Sequence, residues 1–421
     1  MGNPARQTGW MCACGEKLDQ DFSCPVCGLT ISLENSFNKP IAFVDLAAQQ
    51  QCIRPRLENN IAAVLSHGRY IMGPEVAALE KALAEFANAR HAVTCASGTD
   101  ALLMALMAIG IGPGDAVFTT PFTFIATGEA ICLSGAVPVF VDVDPDSFNI
   151  SPEKLTSCIQ EITLAGKLTP RAIIPVDLFG LPCDYDRIDT IASEHNLVVI
   201  EDAAQSFGAE YKGRMAGNLG HVGCTSFFPA KPLGCYGDGG AVLTDSDETA
   251  DILKSIRIHG KGKDKYDNIR LGLNGRMDTL QAAILLSKLD IFTLELASRR
   301  KNAKLYSDLL GSRDIPLTLP KFFPGVKSAW AQYSLLAPDT DTRTSIRSRL
   351  EENGIPTAVY YPTPLHLQTV FAHLGYGPGD FPVSEAYAAR IFSIPMHPYL
   401  TLEEQKKICK ALEKPLLKPM P

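Results

Sequence analysis

One lysine stands in a stretch that is otherwise apolar or glycine-rich, TSFFPAKPLGCYG, near the middle of the chain. Lys231 lies between Pro229 and Pro232, and the next charged residue is Asp238. A lysine that is shielded from water has a lowered pKa, and its neutral amine is a nucleophile towards carbonyl groups. We therefore predict that Lys231 reacts through its amine rather than serving as a surface charge.

Polar and aromatic residues follow several short apolar segments that have the composition of β-strands. If those strands are parallel, their carboxyl ends meet at one edge of a sheet, and the residues that follow them lie along that edge. The set comprises Gly98 and Thr99 after HAVTC, Phe124 after AVFTT, Asp202 as the last residue of LVVIED, and Gln205 three residues later. It also includes Ser226 within CTSFF, five residues before Lys231.

Together these residues supply what a phosphorylated pyridine aldehyde, pyridoxal 5'-phosphate (PLP), requires. A lysine joins the aldehyde covalently, a carboxylate keeps the ring nitrogen protonated, and a helix N-terminus with hydroxyl residues binds the phosphate. An aromatic side chain covers the ring. Each residue alone has an ordinary structural explanation, such as a surface lysine or a helix cap, but the combination at successive strand ends predicts a PLP site.

Segments of strand length and segments of helical spacing alternate from residue 91 onwards. Strands that are apolar on both faces and separated by helices are typical of a parallel sheet covered on both sides. The sequence therefore predicts an α/β fold with a mainly parallel central sheet. The predicted strands are HAVTC, AVFTT, AVPVFVDV, RAIIPVD, LVVIED, CTSFF and AVLTD, and the predicted helices are TDALLMALMAIG, FIATGEAICLSG, SPEKLTSCIQEI and YDRIDTIASEHN.

The composition is that of an ordinary globular protein of two or three domains, with 421 residues and a net charge of −7. An acidic balance of 46 against 39 basic residues gives no support for a nucleic-acid partner or an anionic membrane surface. We find no segment with the pattern of a signal peptide or a membrane span. Most of the twelve cysteines are scattered singly, which favours a reducing, cytoplasmic setting.

Four cysteines cluster near the beginning of the chain, in CACG and CPVCG. Four thiolates in two short turns suit one tetrahedral cation, and so small a segment has no core of its own. We predict a zinc-ribbon-like module over residues 1–36 with structural zinc; iron, a disulfide or free thiols are the alternatives. The predicted ligands are Cys12, Cys14, Cys24 and Cys27.

Beyond this segment the sequence resembles the PLP-dependent nucleotide-sugar aminotransferases of the DegT/StrS family, from about residue 41 to residue 396. The resemblance implies PLP fold type I, the aspartate aminotransferase-like fold, with a large cofactor domain over 40–290 and a smaller C-terminal α+β domain over 291–421. It also implies a homodimer with shared active sites. The motifs are FVDLAAQQ, HGRYIMGPEVAALE, ASGTDAL, GPGDAV, PFTFIAT, EDAAQSFGAEYKG, SFFPAKPLGCYGDGGAV, NGRMDTLQAAIL and YYPTPLHLQ.

The family pattern also assigns a role to each matching position. Lys231 is implied to join the cofactor and Asp202 to face the pyridine nitrogen, with Gln205 near the phenolic oxygen. The remaining implied contacts are Gly98, Thr99 and Ser226 on the phosphate, Phe124 over the ring, and Asn274 on the phosphate of the other subunit's cofactor.

Within the family, the chain is most similar to enzymes that aminate the 3-keto group of UDP-2-acetamido-2-deoxy-3-oxoglucuronate with L-glutamate, releasing 2-oxoglutarate. Those enzymes lead us to expect His-Tyr-Pro where this chain has Tyr360-Tyr361-Pro362, so the oxidation state of the sugar's C6 stays open. A dTDP-linked or other 3-keto or 4-keto deoxysugar is the alternative substrate. The predicted substrate contacts are Arg276, Tyr360, Tyr361 and His366.

Dehydration of a sugar and partner binding are the two alternative functions. Relatives that remove a sugar hydroxyl carry histidine at the position of Lys231, so the lysine favours amino transfer over dehydration. The four-cysteine segment alone would also suit a binding or regulatory protein that docks on a partner. The complete set of cofactor residues favours an active enzyme.

Overall fold

The computed structural model describes residues 40–264, 266–313, 315–321 and 323–413. The helices are α1 (Leu46–His67), α2 (Pro74–Ala87), α3 (Gly98–Ala108), α4 (Ile125–Leu133), α5 (Pro152–Ala165), α6 (Tyr185–His195), α7 (Asp247–Ile256), α8 (Thr279–Gly311), α9 (Thr340–Glu352), α10 (Pro382–Arg390) and α11 (Leu402–Glu413). The strands are β1 (His91–Cys95), β2 (Asp115–Thr119), β3 (Val137–Phe140), β4 (Thr169–Ile173), β5 (Val198–Asp202), β6 (Glu210–Tyr211), β7 (Arg214–Met215), β8 (Val222–Ser226), β9 (Gly240–Thr244), β10 (Val326–Lys327), β11 (Tyr333–Leu336) and β12 (Ile391–Ile394).

A seven-stranded sheet forms the centre of the protein, in the order β1-β9-β8-β5-β4-β2-β3. Its strands are parallel except β9, which is antiparallel to both of its neighbours. The exception has a local cause. A parallel neighbour needs a long crossover, usually a helix, whereas residues 227–239 return directly from β8 to β9 without one. The predicted mainly parallel sheet is confirmed.

Alternate residues of the central strands pack into two separate cores, one on each face of the sheet. Phe118 and Val199 face a core that includes side chains of α2, α5, α6 and α8. Val117 and Ile200 face the opposite core, with side chains of α3, α4 and α7. Burying side chains of this size contributes about 1.5–3 kcal/mol each. The apolar character of both strand faces, read from the sequence, therefore reflects helices on both sides.

The C-terminal part contains a two-stranded antiparallel sheet of β11 and β12, accompanied by α9, α10 and α11. Asp142, just beyond β3, accepts hydrogen bonds from the backbone N–H (2.9 Å) and hydroxyl (2.6 Å) of Ser384 at the start of α10. The expected boundary between residues 290 and 291 falls inside α8, a single helix of 33 residues. That boundary stays a prediction, and α8 continues through it. Within the described ranges, no helix has the length and apolarity that membrane crossing requires.

Candidate active site

Lys231 lies on the loop 227–239, which connects β8 to β9 at the carboxyl edge of the parallel strands. Its backbone N–H donates to the carbonyl of Phe228 at 2.9 Å, which fixes the turn that carries the side chain. The residue is partly exposed, but the surrounding atoms exclude most water. Burial lowers the pKa of Lys231, and the nearby charge of Asp202 opposes the shift. The Nζ forms no hydrogen bond or ion pair within the described part of the chain, so the amine is available to react.

Asp202 is the last residue of β5 and is 5% exposed. One carboxylate oxygen accepts a hydrogen bond from the hydroxyl of Thr127 at 2.8 Å, and the other accepts from the backbone N–H of Ala204 at 3.2 Å. Burial raises the pKa of Asp202, while these two bonds and the charge of Lys231 act in the opposite direction. A buried carboxylate with a fixed orientation and no cation bonded to it suits a cationic ring nitrogen.

Gln205, Tyr361 and Phe124 lie together beside Asp202. The side-chain carbonyl of Gln205 accepts from the backbone N–H of Phe179 at 2.7 Å, and its amide donates to the hydroxyl of Tyr361 at 3.1 Å. The rings of Tyr361 and Phe124 have centroids 6.1 Å apart. Phe124 begins α4 and is 54% exposed, an unusual exposure for a phenylalanine next to buried polar groups. These side chains give the site an aromatic wall and a fixed amide.

Gly98 and Ser226 are in contact at the N-terminus of α3. A Cβ on Gly98 would lie 2.6 Å from the Cβ of Ser226, so a larger residue does not fit between helix and strand. Ser97 caps the helix, its hydroxyl accepting from the backbone N–H of Asp100 at 3.0 Å. Gly98 and Thr99 hold the first helical positions, where N–H groups have no acceptor within the helix. This end of α3 therefore presents free donors and a serine hydroxyl, as phosphate binding requires.

Asn274 and Arg276 lie on a neighbouring segment at the same edge. The carbonyl of Gly275 accepts from the backbone N–H of Ala96 at 3.0 Å, two residues before Gly98. Asn274 is exposed, and its side-chain oxygen accepts a hydrogen bond from the guanidinium of Arg276. The predicted contacts of both residues with substrate or with a second subunit's cofactor stay predictions.

Tyr360 and His366 are placed differently from each other. The ring of Tyr360 is partly buried, with its centroid 6.3 Å from that of Phe43. The side chain of His366 is fully buried; its Nε2 is 3.1 Å from Glu385, and its ring packs against Phe381. A substrate contact for His366 stays a prediction, and the enclosed side chain does not face solvent in this structure.

The predicted metal ligands lie outside the described residues. Among the residues that the structure does describe, no group of His, Cys, Asp and Glu side chains could hold a metal ion. The predicted zinc-ribbon-like module is untested, and its ligands Cys12, Cys14, Cys24 and Cys27 stay predictions.

Sequence reasoning missed several polar residues that hold the site together. Thr127, which bonds Asp202, lies three residues after Phe124 in the first turn of α4, so helical spacing could have placed both on one face. Asp177, Ser206 and Lys288 gave no such signal. Asp177 and Ser206, which bond each other, are 29 residues apart in the sequence. Lys288 is 54 residues from Gly234, whose carbonyl it bonds.

The described residues fit PLP in three respects. Lys231 offers an unbonded amine with a lowered pKa beside the buried Asp202 carboxylate. The N-terminus of α3, with Ser226 next to Gly98, offers backbone N–H groups and a hydroxyl to a phosphate. Phe124 supplies an exposed aromatic face. Most of the residues that the sequence assigned to the cofactor are thus found along one edge of the sheet.

Comparison with known proteins agrees with this geometry. Residues 51–413 match the model of the DegT/DnrJ/EryC1/StrS aminotransferase family. The chain is 47% identical to UDP-2-acetamido-2-deoxy-3-oxo-D-glucuronate aminotransferase of Pseudomonas aeruginosa, over 88% of this chain and 99% of that protein.

Solved structures give the same result. A DegT/DnrJ/EryC1/StrS aminotransferase from Brucella abortus is 50% identical, with a TM-score of 0.85 over 88% of this chain and 98% of that one. Bacillus subtilis NtdA, solved with the bound cofactor PMP, is 29% identical with a TM-score of 0.80, over 91% of this chain and 88% of that one. With a family model that spans most of its length and relatives of this similarity, the chain belongs to the DegT/DnrJ/EryC1/StrS aminotransferase family.

Proposed function

We propose that the protein is a PLP-dependent aminotransferase that transfers the amino group of L-glutamate to C3 of a UDP-linked 3-keto sugar, UDP-2-acetamido-2-deoxy-3-oxoglucuronate. The observation that carries the proposal is the unbonded, partly shielded amine of Lys231 next to the buried carboxylate of Asp202. Family membership and the named substrate of the Pseudomonas aeruginosa relative support it.

When bound, PLP supplies a ring that accepts the electrons left on carbon when a proton is removed. Lys231 is the group that takes this proton and returns it. An amine can act first as base and then as acid only if its pKa lies near the working pH, and burial moves the pKa of Lys231 in that direction. Asp202 stabilises the protonated ring nitrogen through its negative charge.

The remaining site residues bind and orient the cofactor in this proposal. Gly98, Thr99 and Ser226 hold the phosphate at the N-terminus of α3. Gln205 contacts the phenolic oxygen with an amide that Phe179 keeps in place. Phe124 covers one ring face. Fixed donors of this kind need no rearrangement when the reaction begins.

One assay tests both the reaction and the identity of the sugar. Purified protein, PLP and L-glutamate are mixed with UDP-linked 3-keto sugars that differ only at C6, a carboxylate against a hydroxymethyl group, and 2-oxoglutarate is measured. We expect release of 2-oxoglutarate with the uronate at a higher kcat/KM. Preference for the hydroxymethyl sugar contradicts the uronate assignment, and no release with any keto sugar contradicts amino transfer.

Arg276, Tyr360, Tyr361 and His366 are the residues proposed to contact the sugar. Their substitution tests the assignment when the two sugars are compared. A residue that binds the C6 carboxylate loses activity on the uronate when changed and keeps activity on the hydroxymethyl sugar. Arg276 has the strongest case, because its guanidinium Nε is buried and bonded to no described residue.

We further propose that the enzyme is a homodimer with shared active sites. Ile269 and Leu271, next to Asn274, are 57% and 87% exposed, and exposed apolar clusters of this kind mark interfaces. Leu271→Asp is expected to give a monomer in sedimentation experiments. Leu164→Asp, which changes an equally exposed leucine on α5, is the matched control and is expected to leave the dimer intact.

The segment 1–36 is proposed to bind structural zinc through Cys12, Cys14, Cys24 and Cys27, and the enzyme is proposed to act in the cytoplasm. The eight described cysteines are free thiols, as expected of a reducing compartment. Elemental analysis of the full chain is expected to find one zinc per chain, and a variant with the four cysteines changed to serine is expected to contain none. Unchanged zinc in that variant contradicts the ligand assignment.

A further inference from the structure

Asp177 contacts both ends of the segment that carries the two ring-facing side chains, Asp202 and Gln205. It follows β4 in the sequence and is fully buried. Its backbone N–H donates to the carbonyl of Asp202 at 3.2 Å. One of its carboxylate oxygens accepts a hydrogen bond from the hydroxyl of Ser206 at 2.9 Å. The two bonds enclose the turn that runs from Asp202 to Ser206.

The other carboxylate oxygen of Asp177 is bonded to a different part of the chain. It accepts from the backbone N–H of Cys183 at 2.9 Å and from the hydroxyl of Tyr185 at 3.0 Å. Tyr185 is the first residue of α6. The carboxylate therefore links the turn after β5 to the segment that enters α6, and each of its oxygens serves one of the two.

Glu201 is a second fully buried carboxyl group close to Asp177. It precedes Asp202 in β5, so the two side chains point to opposite faces of the sheet. The carboxylate of Glu201 accepts from the backbone N–H groups of Gly217 (2.6 Å) and Leu219 (2.8 Å). Burial raises the pKa of Asp177 to about 6, and burial together with the nearby charge of Asp177 raises the pKa of Glu201 well above its usual value.

The other titratable groups that face the pair are the thiol of Cys183 and the phenol of Tyr185. Burial raises the pKa of both, so they stay neutral. Neither Asp177 nor Glu201 forms an ion pair with any residue that the structure describes. The hydrogen bonds that Asp177 accepts from Cys183, Ser206 and Tyr185 lower its pKa against the effect of burial and favour its charged form. Hydrogen bonds to a buried anion are stronger than bonds between neutral groups.

The same part of the chain also bonds Gln205 directly. Phe179, two residues after Asp177, donates its backbone N–H to the Gln205 side-chain carbonyl at 2.7 Å. We propose that Asp177 is a positioning residue of the aminotransferase, which acts through the Ser206 hydroxyl to hold Asp202 and Gln205 in the orientation that the cofactor ring needs. This inference rests on the proposed placement of the ring between those two side chains.

The test compares two hydroxyls that donate to the same carboxylate. Ser206→Ala removes the bond to the cofactor-binding turn, whereas Tyr185→Phe removes the bond to α6. Cofactor is stripped from the full-length protein, PLP is titrated back by its absorbance, and kcat, KM for glutamate and thermal unfolding without cofactor are measured. We expect Ser206→Ala to raise the Kd for PLP and lower kcat, each by about tenfold, with KM within about twofold. Tyr185→Phe is expected to stay within about twofold of wild type in the Kd for PLP, in kcat and in KM.

A double-mutant cycle adds a second, independent measurement. Asp177→Asn is expected to raise the Kd for PLP at least as much as Ser206→Ala does. The double variant is expected to have a Kd for PLP no higher than that of Asp177→Asn alone. Both changes remove the same interaction, the bond between Ser206 and Asp177. Equal effects of Ser206→Ala and Tyr185→Phe on the Kd, or additive effects in the cycle, overturn the positioning role. Wild-type protein that takes up no PLP would instead overturn the proposed function itself.

Discussion

Two shielded lysines have opposite surroundings: Lys231 lies on the loop 227–239, and Lys288 bonds to that loop from α8. Lys231 is partly exposed as a residue, and its amine bonds no described residue. The Nζ of Lys288, on α8, is fully buried, donates to the carbonyl of Gly234 at 2.6 Å and lies 4.2 Å from the centroid of the Tyr236 ring. Burial lowers the pKa of both lysines, that of Lys288 to about 8.

The two lysines differ in the partners of their amines rather than in the direction of their pKa shifts. Lys288 is held by an acceptor and an aromatic face, so its charge is used to fix the loop at Gly234, three residues after Lys231. Lys231 has no such partner, and its amine is left for chemistry. Lys288 thus holds the loop in place, and Lys231 on the same loop is the amine proposed to react.

The largest expected effect is the loss of amino transfer when Lys231 is replaced. Lys231→Ala removes the group that moves the proton, so 2-oxoglutarate release is expected to fall by at least about a thousandfold. Its unfolding free energy is expected to stay near that of wild type, because no hydrogen bond of the amine is lost. The assay is the release of 2-oxoglutarate from glutamate and keto sugar. Retained turnover in Lys231→Ala would contradict the proposal that Lys231 moves the proton.

The sequence could identify Lys231 but not Lys288, for a physical reason. Lys231 follows β8, whose carboxyl end lies on the same edge as those of the other parallel strands, and a position after such a strand can be read from the sequence. The same rule placed Gly98, Asp202 and Ser226 correctly on that edge. Lys288 lies in LLSKLDIF, a helical segment in which a lysine is ordinarily a solvated side chain with a buried stem.

The Asp177 contacts were unpredictable for a similar reason. They depend on how the turn after β4 crosses the turn after β5, and such a crossing is set by packing rather than by local sequence. The antiparallel β9 was likewise not foreseen, although the short return from β8 is visible in the sequence. The expected domain boundary at residue 290 stays a prediction, and α8 runs through that position as one helix.

A smaller effect is expected from Lys288→Met, which removes the ammonium that bonds the Gly234 carbonyl and keeps the length of the side chain. The Gly234 carbonyl loses its donor, at a cost of about 1–3 kcal/mol, but the cost of burying an ammonium disappears as well. We expect the unfolding free energy to change by less than about 2 kcal/mol while kcat falls by about tenfold, because the loop with Lys231 is less well held. Urea unfolding and the 2-oxoglutarate assay measure the two quantities.

The matched control for this variant lies on the same helix. Lys304 has a side chain that is 72% exposed and forms an ion pair with Asp308 one turn away. Lys304→Met is expected to change neither quantity measurably, because an exposed pair of this kind contributes about 0–1 kcal/mol. If Lys288→Met retains full turnover, the bond from Lys288 to Gly234 has no influence on Lys231.

The lowered pKa of Lys288 predicts a pH dependence of stability. The folded pKa of about 8 lies below the value of 10.5 for a free lysine, so the unfolded chain binds more protons between these two pH values. Stability from this group therefore rises with pH across that window and is constant below it. From pH 7.5 to 9.5, wild type is expected to gain about 1–2 kcal/mol relative to Lys288→Met in urea unfolding. Parallel pH profiles of the two proteins would show that Lys288 is not shielded.

The smallest effect concerns the aromatic face, and two variants of Tyr236 isolate it. Tyr236→Leu removes the ring beneath the ammonium and is expected to cost about 0.5–2 kcal/mol of unfolding free energy at pH 7. The Tyr236 hydroxyl is buried and bonds no described residue, so Tyr236→Phe is expected to be neutral or slightly stabilising. At pH 10, where Lys288 is mostly neutral, the ring has little charge left to attract, and the difference between the two variants is expected to shrink. A difference that stays constant with pH would mean that the ring acts only through packing.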